Sequence, residues 1–253
     1  MKHGLLSVAL LLVALVLLAV APPPAGAQQP GSLLIWPVNP VIEGDARAAA
    51  LWLENPGKAP ITLQVRIYAW TQQDGGNAYA EQDEVIGTPP IVSIEPGQRQ
   101  LVRLTRTTPP PPPAAETPYR IVVDEVPTGN ASVAPGASVS FRMRYSLPLF
   151  SYSRRGNGKA KPPAPAPQIS WRAGADAGGR FLEIRNDGSG HARLTDVDFA
   201  TGAQKSTVAQ GLLGYVLPGA SMRWPLPGTL GAVGDLVATV NGKVRVVIER
   251  RQE

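Results

Sequence analysis

In the stretch Val139-Ser-Phe-Arg-Met-Arg-Tyr-Ser-Leu-Pro-Leu149 every odd position is large and apolar, and the even ones are Ser, Arg or Pro. Successive side chains of an extended chain point to opposite faces, so this alternation predicts a β-strand with one apolar face. Shorter β-type runs recur along the chain. Leu33–Trp36, Ala48–Glu54, Ile61–Trp70, Glu84–Ile86, Pro90–Ile94, Arg99–Arg106 and Tyr119–Asp124 precede it. Ile169–Arg172, Arg180–Arg185, Arg193–Phe199, Val208–Val216, Ser221–Trp224, Asp235–Val240 and Lys243–Glu249 follow it. No segment carries a convincing helical period. Turn residues punctuate the runs: Asn55-Pro-Gly-Lys58 reads as a hairpin-like connection, and Asn241-Gly242 is the strongest short hairpin signal.

The runs fall into two blocks. Residues 156–168, GNGKAKPPAPAPQ, lack large apolar side chains and mark a proline-rich linker. The expected fold is therefore all-β, with two β-sandwich domains in series at 28–155 and 169–253. Five consecutive prolines, Pro109 to Pro113, predict a stiff exposed loop inside the first domain. Residues 1–27 read as a cleaved secretory signal rather than an anchor. They combine Lys2, an apolar run from Leu5 to Val20 and the small residues Ala25-Gly-Ala27.

Composition narrows the chemistry. There is no cysteine, so no disulfide framework, thiolate metal site or cysteine nucleophile is available. Of the two histidines only His191 follows the signal, which leaves little material for a histidine triad or zinc site. His191 sits in a turn and is expected at the solvent surface, as are Asp196 and Asp198 on a shared strand face. A formal charge of +5 is mild and diffuse, and no basic run is interleaved with aromatics, so nucleic acid is not an expected partner. No cofactor, metal or catalytic group is expected. The five tryptophans fall on strands and read mostly as core, with a carbohydrate platform as the lesser reading.

Several landmarks occur in a fixed order: Pro40-Val-Ile-Glu-Gly44, Trp52-Leu-Glu-Asn55, Thr88-Pro-Pro90, Ile94-Glu-Pro-Gly-Gln98 before Val102-Arg-Leu104, and Tyr119-Arg-Ile-Val-Val-Asp-Glu-Val-Pro127. Together they resemble the PapD-like family of periplasmic pilus-assembly chaperones. Ile35-Trp-Pro37 and Ser146-Leu-Pro-Leu-Phe150 look closer to its archaic or spore-coat-U-like branch. The resemblance implies a boomerang of two immunoglobulin-like domains. Such a chaperone lends a strand to a pilus or fimbrial subunit that lacks one, and delivers it to an outer-membrane usher. Val139, Phe141 and Met143 align with the family's donor residues, and Tyr145 and Leu147 extend the same face.

Better-known members hold the subunit's terminal carboxylate with an arginine and a lysine. Alignment puts Asn39 and Pro148 at those positions, so Asn39 would face the cleft without a charge. Arg66, Arg103, Arg154 and Arg155 are the substitute candidates. Self-association of the free protein is a further expectation. The alternatives are a structural pilus component, or a secreted hydrolase or carbohydrate-binding sandwich. Export is expected to leave a chain beginning at Gln28, which intact-mass measurement of the periplasmic form checks; a mass that includes residues 1–27 would restore the anchor.

Overall fold

The structure, a computed structural model, describes residues 33–112, 115–127, 142–152, 164–228, 230, 233–243 and 245–251. The signal segment, Val139, Phe141, Arg154, Arg155 and the first part of the linker lie outside the described residues. Among the described residues every regular element is a strand.

The first domain is a sandwich of two sheets. One contains β1 (Leu34–Trp36), β3 (Ala48–Glu54), β8 (Arg99–Arg106) and β6 (Val85–Thr88), in that spatial order. The other runs β2 (Val41–Glu43), β10 (Arg144–Tyr152), β9 (Glu116–Val126), β4 (Ile61–Gln73) and β5 (Gly76–Ala80), with β7 (Ile91–Ile94) also pairing β4. Alternation decides the core. Leu51, Leu53, Val102 and Leu104 face inward from the first sheet, and Leu63, Val65, Ile121, Val123, Leu147 and Leu149 face them from the second. Each such side chain contributes roughly 1.5–3 kcal/mol on burial.

The Asn55-Pro-Gly-Lys58 segment is not a hairpin turn. β3 and β4 belong to different sheets, so this segment crosses between layers. Asn55 is buried, and its carboxamide donates to Ala59 O at 2.8 Å and Ile94 O at 2.9 Å while accepting from Gly57 N–H. A crossing chain leaves backbone groups without ladder partners, and the carboxamide supplies them. Buried Arg106 does similar work at the domain's end, donating to Ser151 Oγ, Gly44 O and Ala46 O.

The second domain contains β11 (Ile169–Asp176), β12 (Gly179–Asn186), β13 (Ala192–Thr201), β14 (Gln204–Val216), β15 (Ser221–Pro225), β16 (Asp235–Val240) and β17 (Arg245–Arg250). They are linked in the order β14-β13-β16-β17-β11-β12-β15 around a core of Trp171, Leu182, Ile184, Leu194, Val197, Phe199 and Leu236. Asn186 repeats the role of Asn55: it bonds Gly190 O, Val216 O and the N–H groups of Gln168 and Gly188. Asn241 and Gly242 both have positive φ, as the predicted tight turn requires.

Two expectations change here. The β13 register shifts around Asp196, whose φ is +51°, so Asp196 and Asp198 do not form a simple solvent-facing pair. Asp196 instead accepts from Gly211 N–H, and Asp198 is an ion-pair partner of Arg245. Of the tryptophans only Trp70 and Trp171 are fully buried; Trp36 and Trp52 stack half-buried on an outer face, with Arg99 over Trp52.

On the outer face of β12, Glu183 receives hydrogen bonds from Arg172, Arg223 and Arg251. The bonds from Arg172, then those from Arg223 and Arg251, outweigh the effect of burial and lower its pKa from 4.5 to about 2. Because the folded value is the lower one, the stabilisation from this four-residue cluster is complete above pH 4.5 and is lost as pH falls towards 2. Glu183→Gln is expected to remove on the order of 2 kcal/mol of this pH-dependent stability. Denaturant midpoints at pH 5 and pH 3 check it: the unchanged protein should lose stability between them, and the variant should lose measurably less.

Candidate functional site

Strand β10 has neighbours of unequal length. β9 pairs with it from Arg144 to Tyr152, whereas β2 pairs only with Phe150, Ser151 and Tyr152. Among the described residues, Arg144 to Leu149 therefore present one edge with no strand beside it. An unpaired edge offers main-chain donors and acceptors to any extended segment that reaches it.

Burial along β10 is graded. On the inward face Leu149 is fully buried and Leu147 is 7% exposed, both in the domain's own core. Tyr145 packs half-buried at the core's margin, and Met143 just before the strand is 38% exposed. Leu147, which shares the alternating face of Met143 and Tyr145, packs in the domain's own core across from Ile121.

The outward face of β10 ends at Phe150, where the two domains meet. Phe150, Trp70 and Leu217 form a small third core with Tyr215 and Ala220. His191 lies flat on the Phe150 ring, with centroids 3.6 Å apart and planes 2° from parallel. Glu116 on β9 bonds both the His191 backbone N–H, at 3.0 Å, and the ring Nδ1, at 2.9 Å. The turn histidine is thus an interdomain contact rather than a surface group. The backbone turn was legible; the ring that covers it comes from the other domain.

Between the domains lies a cleft of about 930 Å³. Its floor is Arg144–Pro148, the free edge. One wall is Leu33–Ile35 with Val38 and Asn39, and the other is His191, Arg193, Leu212, Tyr215 and Asn241 from the second domain. Leu34, Val38 and Leu212 are exposed apolar side chains on these walls. Asn39 and Pro148, the positions where the resemblance called for basic residues, both line the cleft.

Among the described residues, the positive groups that line the cleft are Arg120, Arg144 and Arg193. Arg66, on β4, donates at 2.5 Å to Asp124, which also binds Arg144. Burial pushes the Asp124 carboxyl up, but the bonds from Arg144 and Arg66 outweigh it and hold the pKa below the usual range. Arg103 is exposed on the outer face of the other sheet. Neither reaches the cleft. Arg120 and Arg193 do. Arg120 stands directly across from Pro148 in the β9–β10 register. Its guanidinium lies 3.8 Å from the Trp70 ring centroid and 5.9 Å from those of Tyr79 and Tyr215. Burial lowers its pKa, and its Nε is buried without a protein partner. Sequence carried one signal for Arg120, a basic residue alternating with the inward-facing Tyr119 and Ile121.

With this geometry in view, comparison with known proteins is specific. Residues 36–152 match the family described as pili and flagellar-assembly chaperone, PapD N-terminal domain. That match covers 117 of the 253 residues, and the two-sandwich fold is that of PapD-like chaperones. One similar solved structure is the complex of the chaperone CsuC with the tip adhesion subunit CsuE, from the archaic chaperone-usher Csu pili of Acinetobacter baumannii. It is 28% identical over 87% of this chain and 100% of that chain, with a TM-score of 0.67. The E. coli chaperone DraB (19% identity, 88% and 98% coverage, TM-score 0.59) shares the fold. So does the Salmonella enterica SafA pilin–SafB chaperone structure (20%, 85% and 91%, 0.60). A search of curated protein sequences found no match.

The burial gradient makes a direct prediction. Leu147→Ala is expected to cost the first domain about 2–4 kcal/mol, the usual large-to-small loss. Met143→Ser is expected to change stability by less than about 0.5 kcal/mol, as a surface substitution does. Urea unfolding of the two variants checks both.

Proposed function

We propose that this protein is a non-enzymatic periplasmic chaperone that holds pilus or fimbrial subunits by donor-strand complementation and passes them to an outer-membrane usher. The observation that carries this reading is the one-sided pairing of Arg144 to Leu149 at the floor of the interdomain cleft. A subunit whose own sandwich lacks a strand can align on that edge, using main-chain bonds that do not depend on its sequence. Met143 and Tyr145, with Val139 and Phe141 before them, supply apolar side chains for the subunit's open core. Leu147 anchors the strand at home. The pairing of CsuC with CsuE in a related structure supports a subunit as the client.

Arg120 and Arg193 are the groups proposed to hold the client's terminal carboxylate. A half-buried guanidinium that lines the cleft binds a carboxylate by charge-assisted hydrogen bonds. Arg120 occupies the strand next to Pro148, so the charge has moved one strand across rather than disappeared.

Paired loss-of-function variants test both halves. Phe141→Ser with Met143→Ser should remove roughly 3–6 kcal/mol of apolar burial from the complex, which weakens capture more than about a hundredfold. The thermal melt of the free chaperone should change little. Arg120→Ala and Arg193→Ala should also release periplasmic client in a co-purification assay. Client retained by all of these variants would overturn the reading, as would a Phe141→Ser, Met143→Ser protein that melts early without selective loss of binding.

A further inference from the structure

The second domain is attached to the first by more than apolar packing. Gln72, near the end of β4, makes two hydrogen bonds to the second domain's main chain. Its Oε1 accepts from Leu217 N–H at 2.8 Å, and its Nε2 donates to Tyr215 O at 2.9 Å. These groups flank Val216 at the end of β14, an edge strand whose other side pairs with β13. One carboxamide thus plays the part of a neighbouring strand's peptide, offering one acceptor and one donor at the matching spacing. It is itself fixed, because Nε2 also donates to Asn77 Oδ1 on β5, which accepts from Trp70 Nε1 as well. Beyond it, the β4–β5 turn touches the second domain again: Arg223 N–H donates to Gly75 O at 3.1 Å, beside a bridge between Gly75 and Met222.

We infer that Gln72 is a positioning residue that sets the angle between the domains, and through Tyr215 sets the aromatic enclosure of Arg120, before any client arrives. The apolar contacts alone do not fix that angle. Trp70, Phe150, Leu217 and Tyr215 touch through ring faces and edges, and such contacts tolerate sliding because they are non-directional. The two Gln72 bonds are directional. Sliding the second domain by one residue along β14 would leave Leu217 N–H and Tyr215 O both unpaired at a half-buried site. Tyr215 is the second domain's contribution to the rings around Arg120, so the carbonyl that Gln72 holds belongs to the residue that frames the cleft's cation. The consequence for client binding rests on the function proposed above; the consequence for domain geometry does not.

The chain has no cysteine, so two can be introduced for spin labels without background. Ile91 on β7 and Val247 on β17 are 55% and 66% exposed, one on each domain. In the Ile91→Cys, Val247→Cys protein, pulsed electron spin resonance should give one narrow distance distribution with no client present. Adding Gln72→Met keeps side-chain length and removes both bonds. It is expected to raise the share of other domain arrangements roughly ten- to a hundredfold, seen as a broadened distribution with a second component. Gln72→Glu keeps the acceptor for Leu217 N–H but cannot donate to Tyr215 O, and should broaden it too; it decides the matter if the Met variant fails to fold. An unchanged narrow distribution in a folded variant would overturn the inference and assign the angle to the ring packing together with the Glu116–His191 and Gly75–Arg223 bonds. Because no client is present, this result stands whether or not the protein captures pilus subunits.

Discussion

The structure depends on how strand β10 is hydrogen-bonded. Along its whole length it is tied to β9, which makes it part of the first domain's sheet. Over its last three residues it is also tied to β2, which secures that end. Over the first six, among the described residues, it has an open side. A strand bonded on both sides throughout could offer its main chain to nothing, and a strand bonded on neither would not hold an extended shape. The mixed arrangement gives a fixed, extended edge, and it is the grading of apolar burial along the strand that lets one end belong to the core and the other face outward.

The second domain matters because it turns this edge into a cleft. It does so through Phe150, which continues β10 and meets His191, and through β4, which carries Trp70 and Gln72 into the same junction. The junction combines non-directional ring packing with a few directional bonds from Glu116 and Gln72. Its other product is the setting of Arg120. Among aromatic rings a guanidinium keeps its charge while losing water, which leaves it in need of an anionic partner. Arg66, similarly basic in sequence, already has Asp124 and is spent within the sheet.

Much of the fold was legible because period-two alternation and turn chemistry are local. The strand runs, the all-β class with two sandwiches, and the Asn241-Gly242 turn could all be read without knowing what lay opposite. One local signal was passed over: Asp74-Gly75, with positive φ at both residues, makes the turn from β4 into β5, a short strand of weak composition that the apolar pattern did not mark. The Asn55-Pro-Gly-Lys58 segment was recognised as a turn but assigned the wrong partner, since turn chemistry says that the chain bends and not which sheet it enters.

The sequence by itself determined which residues form strands and which of their faces is apolar, because steric alternation and burial are properties of neighbours along the chain. Only the tertiary structure decided how far along 139–149 the apolar face belongs to the protein's own core, since that depends on where the opposing sheet ends. It likewise decided which arginines are satisfied and which are left facing the cleft. Charge pairing is a matter of proximity between strands distant in sequence: Asp124 stands beside both Arg66 and Arg144, whereas Arg120 is enclosed by the Trp70, Tyr79 and Tyr215 rings.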